Sequence, residues 1–252
     1  MTTAIATPPR TPLMTADEFY DWCNRPENTD RSFELVRGKV IEMTTGLETP
    51  PRTKLMTADE FYDWCNRPEN TDRRFELVRG EVIEVSSPNK IHGVVSGNIA
   101  GHLWMYSRKR SIGYITTNDS GTLVERDPDT VRGPDVAYFT DADHFADLHP
   151  KYGEHPPILA VEVLSPSDRA NKVLRKVEEY INNGVQVVWL VDPEEKTVRV
   201  FRPGQQSVTL TESQEIDGGE SLPGFSCKLG EFFRLPKDLT QQSAPENAPP
   251  AN

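Results

Sequence analysis

The chain has 252 residues, of which 36% are hydrophobic and 27% are charged, and its formal net charge is −11. This length allows one sizeable α/β domain with extra segments at its ends, and the lack of an apolar run of about 18 residues argues against a membrane-spanning helix. A protein that coats nucleic acid by charge alone is basic, so the acidic balance excludes that class but allows an enzyme with a local basic face.

The first ten residues and the cysteines bear on the compartment. MTTAIATPPR contains neither a basic n-region nor an apolar h-region, so we expect no secretory signal. There are three cysteines, and Cys23 and Cys65 are the same position of an internal repeat. Because these do not make a disulfide framework, we expect a cytoplasmic protein with reduced thiols and no association with membranes.

The repeat is the first organised feature along the chain. TPPRTPLMTADEFYDWCNRPENTDRSFELVRGKVIEM starts at Thr7, and a near-identical stretch starts 42 residues later, at Thr49. A solenoid needs at least three repeats, so two copies indicate a local duplication. We expect residues 1–48 to be mobile, loosely packed or docked on another subunit, and residues 49–235 to form the main domain. The copies differ at Pro12/Lys54, Ser32/Arg74, Lys39/Glu81 and Met43/Val85.

Each copy predicts a helix followed by a hairpin. MTADEFYDWC has a capping-box pattern, and FELV, a turn at Arg-Gly and EVIEV form the hairpin. From His92 to Arg110, apolar residues recur at helical spacing and the last turn is basic, which predicts a helix. The apolar positions of that helix are Val95, Ile99, Leu103 and Tyr106.

The remaining elements alternate between strands and helices. We predict the order helix, three strands, helix, strand, with a hairpin before and after, and a Pro-rich disordered tail over residues 236–252. We expect Trp104, Trp189 and Phe201 in the core. The predicted strands are GYITTND, SGTLVERD, residues 135–139, ILAVEVL, VQVVWLVD, VRVFRPG and SVTLTES. DPDTVRGPDVAYF is predicted to contain a turn before its strand, ADHFADL to form a short helix and RANKVLRKVEEYINNG a long one.

Two acidic residues interrupt the apolar strands. Asp135 follows a proline in GPDVAYF, and Glu162 stands in the middle of ILAVEVL. A buried carboxylate is costly unless something pairs with it, and two carboxylates at one sheet edge repel each other unless a cation lies between them. The helix after Glu162 carries Arg169, Lys172 and Lys176 on one face.

These motifs together resemble a known family. The αβββαβ order, the Pro-Asp strand and the glutamate strand leading into a basic helix are similar to the PD-(D/E)XK nuclease superfamily, and within it to the Uma2 family of endonucleases (DUF820). The resemblance covers residues 55–233. It implies an α/β, restriction-endonuclease-like fold with a mixed central sheet. The motifs that carry it are FELVRGEVIEV, the histidine after SPNKI, DPDTVRGPDVAYF, AVEVLSPSDRANKVLRKVEEYINNGV, VWLVDPEEKTVRVFRPG and LPGFSCKLGEFF.

The resemblance also implies a metal site. Asp135 and Glu162 would hold Mg²⁺ or Mn²⁺, with the Val163 carbonyl as a third oxygen ligand. The superfamily pattern Glu-X-Lys is broken here by Leu164, so the matching lysine is Lys176, with Lys172 as a rival. This lysine would orient and help to deprotonate the attacking water and neutralise charge on the phosphate.

Further positions have both a functional and a structural interpretation. His92 matches a family histidine but could equally be a structural contact at a helix N-terminus. Glu76 and Glu81 lie on the hairpin, and Glu76 could supply an early acidic residue of the catalytic set. Two more positions are interpreted structurally: Ser165 and Asp168 as a turn and helix cap, and Asp192 as a turn opener.

Three functions compete on these residues. The first is a metal-dependent endonuclease that hydrolyses nucleic acid, with DNA expected and a homodimer left open. The second is a catalytically silent module that binds nucleic acid or protein on the same fold, which the acidic net charge favours. The third is a metal hydrolase that acts on a small phosphoester.

Overall fold

The computed structural model describes residues 14–25, 28, 33–42, 55–153, 155–166 and 168–241. The chain divides into two compact units, Met1–Arg52 and Thr53–Asn252. None of the helices within the described ranges is long and apolar enough to cross a membrane.

The first unit contains the first copy of the repeat. Its helix is α1, Ala16–Cys23, and its hairpin consists of β1, Phe33–Val36, and β2, Lys39–Glu42. Thr15 and Glu18 form a capping box at the start of the helix, as the sequence predicts. Helix and hairpin therefore form where local sequence signals place them.

The second unit contains the remaining elements, which confirm the predicted αβββαβ core. Its helices are α2 Ala58–Cys65, α3 Lys90–Arg110, α4 Ala170–Asn182 and α5 Pro236–Gln241, with 3₁₀ turns at Phe145–Asp147 and Leu229–Phe233. Its strands are β3 Phe75–Val78, β4 Glu81–Glu84, β5 Tyr114–Thr117, β6 Thr122–Glu125, β7 Thr130–Arg132, β8 Val136–Phe139, β9 Leu159–Val163, β10 Val187–Asp192, β11 Thr197–Phe201, β12 Val208–Thr211, β13 Glu215–Asp217 and β14 Ser226–Lys228.

A mixed six-stranded sheet forms the centre of this unit, in the order β12-β11-β10-β9-β8-β5. Only β9 and β10 run parallel, and α4 makes the crossover between them. The three strands that follow α3 in this sheet are β5, β8 and β9. The predicted strand SGTLVERD forms β6, which belongs to the second sheet.

The second sheet has four strands in the order β4-β3-β7-β6. The predicted turn forms at residues 126–129, but the strand that follows it, β7, was not predicted. Val131 pairs with Leu77 of β3 on one side and with Leu123 of β6 on the other. Three residues are too few to show an alternating pattern, so only these two partners reveal the strand.

Helix α3 packs on the central sheet through the predicted positions Val95, Ile99 and Leu103, which are all buried. Trp189 is fully buried, and Phe201 is partly buried against a second apolar cluster. The placement of Trp104 in the core is wrong, since this side chain is 56% exposed. It lies one position beyond Leu103, off the buried helix face, where the Arg108 guanidinium lies 5.3 Å from its ring.

The tail differs from the prediction at its start. Pro236–Gln241 forms the short helix α5 where we predicted disorder, and the amide of Leu235 donates to Asp238 Oδ2 just before it (2.8 Å). Such a hydrogen bond at the start of a helix stabilises a short helix even where the sequence is polar. Residues 242–252 of the predicted tail lie outside the described residues.

Candidate active site

Two neighbouring strands bring the predicted acids together. Strands β8 and β9 are antiparallel, with Val136 opposite Val161, so Asp135, just before β8, lies beside Glu162. The amide of Val163 donates to Asp135 Oδ2 at 2.6 Å. Register alone therefore places the two carboxylates at one point of the sheet.

Helix α4 supplies the cation that meets Glu162. Lys176 Nζ lies 2.9 Å from Glu162 Oε2, and the Tyr180 hydroxyl donates to Glu162 Oε1 at 2.7 Å. Lys176 and Tyr180 are four residues apart and so share one helix face. Both oxygens of this buried carboxylate are thus held by groups from a single helix.

The hairpin of the second repeat copy contributes a second glutamate. Glu76 Oε1 lies 2.9 Å from Lys176 Nζ, and the Gly133 amide donates to the same oxygen at 3.2 Å. Arg132 donates to Glu76 Oε2 and to Glu179 Oε2, each at 2.7 Å. These contacts connect the second sheet to α4 and the central sheet through a buried ionic network.

His92 lies on the other side of Asp135. Its Nε2 is 3.1 Å from Asp135 Oδ1, and its Nδ1 is 3.5 Å from the Ser96 hydroxyl. The ring is only 8% exposed. Its position in the first turn of α3, where Asn89 caps the helix, places it at the acidic cluster. All five predicted side chains of the site therefore meet: Glu76, His92, Asp135, Glu162 and Lys176.

Burial shifts the protonation equilibria of this cluster. It raises the pKa of Glu162 to about 8, with Asp135 and Glu76 adding to the shift and Lys176 opposing it. Burial also disfavours the charged form of Lys176, but Glu162 and Glu76 outweigh it and hold the lysine pKa above its usual range. Lys176 is therefore an ammonium at neutral pH.

The remaining candidate residues are either exposed or have a structural role. Lys172, the rival lysine, is exposed one turn before Lys176, and Glu81 is exposed on β4. Asp192 opens a turn as predicted, because its Oδ1 accepts from the amides of Glu194 and Glu195.

The predicted cap of α4 needs correction. Asp168 Oδ2 accepts from the Ser165 amide at 2.7 Å, and the Asp168 amide donates to the Ser165 carbonyl. These bonds close the predicted turn. The helix N-cap is Arg169, however, so Ser165 and Asp168 do not cap the helix. The Asp168 carboxylate is instead used within the turn that precedes it.

Sequence reasoning missed three members of the network. Tyr180 could have been found from its spacing to Lys176 on one helix face. Glu179 gave no signal, because a glutamate on an amphipathic helix is ordinarily solvated. Arg132 lies in the segment interpreted as a turn, so its burial depends on β7, which the pattern did not reveal.

A cavity of about 350 Å³ lies beside His92, at the carboxyl ends of β9 and β10. Its wall is largely apolar, and it has three acidic residues, Asp168, Asp192 and Glu194, with Arg199 as a cation. The residues that line it besides His92 and Arg199 are Asn89, Ile91, Leu164, Ser165, Pro166, Asp168, Ala170, Val173, Leu174, Leu190, Asp192, Pro193 and Glu194.

Asp135 and Glu162 supply the donor atoms that a hard cation prefers. Within the described part of the chain, no three His, Cys, Asp or Glu side chains are arranged as a ready metal site. Each oxygen of the two carboxylates has one hydrogen-bonding or ionic partner. Because a carboxylate has about four lone-pair sites, the pair fits Mg²⁺ or Mn²⁺, which are bound through oxygen.

Comparison with known proteins identifies the family and a structure of similar fold. Residues 58–230 match the family model Uma2, described as "Putative restriction endonuclease". Among solved structures, the fold is similar to that of an Anabaena variabilis ATCC 29413 protein, titled as a putative nuclease belonging to DUF820. The two share 21% identity over 71% of this chain and 97% of the other, with a TM-score of 0.60. No curated protein matches the chain.

Proposed function

The chain belongs to the Uma2 family, and from that premise we propose that it is a nuclease that hydrolyses phosphodiester bonds of DNA with Mg²⁺ or Mn²⁺. The observation that carries the proposal is the convergence of Asp135, Glu162 and Lys176 from three separate elements into one buried cluster. Isolated buried charges are unfavourable, and this cluster joins two acids to a cation beside a cavity.

Asp135 and Glu162 would hold the divalent cation through their carboxylates, with the Val163 carbonyl as a further oxygen donor. When bound, the ion polarises the scissile phosphodiester and lowers the pKa of a water molecule. The Val163 amide supports this role, because its hydrogen bond to Asp135 Oδ2 fixes that carboxylate beside the end of β9.

Lys176 acts as a fixed positive charge. Its pKa is held above the usual range by Glu162 and Glu76, so proton abstraction, which the resemblance to the family implied in part, is not its role in this proposal. An ammonium held in a site of low dielectric stabilises negative charge that develops on a phosphate. Tyr180 orients Glu162, and Arg132 orients Glu76, by the hydrogen bonds already described.

One observation favours the alternative of a catalytically silent module. Lys176 Nζ already contacts Glu162, Glu76 and the Gly133 carbonyl (3.4 Å). An ammonium has three hydrogens to donate, so contact with a phosphate requires one of these partners to be displaced. A module that binds without cleaving would keep all three contacts.

A cleavage assay distinguishes the two functions. Plasmid DNA, single-stranded DNA and RNA are incubated with the protein in Mg²⁺, in Mn²⁺ or in EDTA. We expect metal-dependent cleavage of DNA that is lost in Glu162→Gln and kept in Glu81→Gln, a matched change at an exposed position. Binding without cleavage in either metal would support the silent module instead.

The proposal includes the compartment. The three cysteines are free thiols, which is consistent with the reducing cytoplasm that we propose. A homodimer stays open, and light scattering at working concentration distinguishes it from a monomer.

A further inference from the structure

The two repeat copies have the same internal structure. The ring pair Trp22–Phe33 in the first copy corresponds to Trp64–Phe75 in the second, with centroids 4.5 and 4.8 Å apart. Both helices have the same capping box. The amide of Met14 donates to Gly38, and that of Met56 to Gly80, in the corresponding backbone bond. Where both copies are described, the first is therefore folded as the second is.

The second copy is held by a defined part of its own unit. We call this the docking surface: residues 129–133, Lys151, Tyr152 and Lys176. Asp129 Oδ2 accepts from the Ala58 amide at 2.8 Å, and the Asp129 carbonyl accepts from the Gly80 amide at 2.8 Å. Leu77 pairs with Val131 in the sheet. Backbone bonds, apolar packing and charge all hold the copy in place.

The same surface holds the helix and the hairpin of the second copy through side chains. Phe61 stacks on Tyr152 with centroids 5.9 Å apart, and Lys151 bridges Asp59 and Asp63 at 3.2 and 3.3 Å. Arg132 and Lys176 meet the Glu76 carboxylate.

The first copy carries the same residue at each of these contact positions. Among the contacts of the described residues named here, the Arg74–Asp119 ion pair has no equivalent in the first copy, since serine stands at position 32. The first-copy residues that correspond to the docked ones are Ala16, Asp17, Phe19, Asp21, Glu34, Leu35 and Gly38.

These residues lack the burial of their counterparts. No residue of α1 is buried, whereas Ala58, Phe61 and Trp64 of α2 are. Leu35 is half-buried, whereas Leu77 is completely buried. The first copy thus presents an apolar face whose matching surface is known from the second copy.

We propose that the first copy exchanges with the second on the docking surface of its own chain. In the exchanged state, Leu35 pairs with Val131 and Glu34 meets Arg132 and Lys176, so the network around Lys176 is complete with either copy. The first copy can then replace the helix and hairpin of the second copy, which contribute a glutamate to the cluster. This inference does not depend on the proposed nuclease activity.

The exchange favours the second copy. Its hairpin connects to α3 through residues 85–89, whereas the first copy connects through residues 43–89. Loop-closure entropy alone then favours the second copy on the order of 30-fold, and the Arg74–Asp119 pair adds to this. A minor population of the exchanged state remains, and it becomes dominant when the second copy is damaged.

Matched aspartate substitutions test the exchange by urea unfolding. Leu35→Asp and Leu77→Asp make the same change in the two copies. We expect Leu35→Asp to leave the folding equilibrium constant unchanged. Leu77→Asp should lower it by about 30-fold or more, because the first copy takes over with a longer connection and without the Arg74–Asp119 pair. The double variant should lose at least a further tenfold, since neither copy can then dock.

Two outcomes overturn the proposal. If Leu77→Asp and the double variant have the same stability, or if Leu77→Asp does not fold, the first copy does not replace the second. The Leu77→Asp variant is also unfolded at several protein concentrations. An unchanged midpoint supports exchange within one chain, whereas a midpoint that rises with concentration shows exchange between chains and overturns the same-chain arrangement.

Discussion

Lys176 of α4 and Glu162 of β9 make a largely buried contact, with 2.9 Å between Nζ and Oε2. The pair explains why a carboxylate stands in the apolar run LAVEV, since its cation comes from the helix that follows. Lys176 also contacts Glu76, so one ammonium serves two buried carboxylates. Removing Lys176 would deprive both carboxylates of this cation.

We predict that Lys176→Ala lowers cleavage by about 100-fold or more, because a fixed charge near the phosphate is lost. Stability should also fall by about 3 kcal/mol, since two buried carboxylates lose a partner. Cleavage rates and urea midpoints measure both effects. Lys172→Ala, one turn earlier on the exposed face, is the control, and a larger effect there would mean that the wrong lysine is assigned.

We predict that Asp135→Ala and Glu162→Ala each abolish Mn²⁺ binding, while the circular dichroism spectrum stays that of the folded chain. Each variant removes one of the two carboxylates that we propose as ligands. Titration calorimetry with Mn²⁺ measures this directly and requires no cleavage. Glu81→Ala, an exposed acid on β4, should bind as the unaltered chain does. Equal affinity in all three variants would rule out the metal assignment.

The raised pKa of Glu162 predicts how stability depends on pH. The folded chain binds this proton with a pKa of about 8, compared with an ordinary value of 4.5. The contribution is therefore fully present below about pH 4.5 and is lost as the pH rises through about 8. We expect the free energy of unfolding to fall over this window more in the unaltered chain than in Glu162→Gln, which does not titrate. If the free energy of unfolding depends on pH in the same way in both chains, the raised pKa of Glu162 is contradicted.

Tyr180 is predicted to position Glu162. Tyr180→Phe keeps the ring but removes the hydroxyl that donates to Glu162 Oε1, and it should cost about 1–2 kcal/mol of stability. The ionised form of Glu162, which we propose as a metal ligand, also loses a donor. The pKa of Glu162 should rise, and cleavage should reach its full rate only at higher pH. Tyr106→Phe, whose hydroxyl contacts Pro223 away from the cluster, should leave the pH profile in place. The same shift in both variants would mean that the effect is not specific.

Deletion of residues 1–48 is predicted to leave activity and melting temperature close to those of the full chain. The second copy already makes the contacts to Asp129, Val131 and Arg132, and it keeps them in the shortened chain. Differential scanning calorimetry and the cleavage assay measure the outcome. A large drop in melting temperature would show that the first copy is a fixed part of the folded domain.

The sequence by itself determined most of the elements and the positions of the two acids. The helix over residues 90–110 and the apolar strand VVWLV are encoded by periodicity within a few neighbouring residues, and the Pro-Asp and glutamate strands follow from the motifs. The tertiary structure alone decided which partners these acids have. Lys172 and Lys176 are one turn apart and look alike in the sequence, and only packing against the sheet brings the second into contact with Glu162.

The contacts of Arg132 were also decided by the tertiary structure. Its strand, β7, exists because β3 and β6 lie on either side of it. Burial of a charge depends on what distant segments bring to it. Arg132 and Glu76 are 56 residues apart in the chain, and local pattern holds no information over that separation. Local propensity therefore fixed where helices and strands form, and long-range packing decided which charges meet.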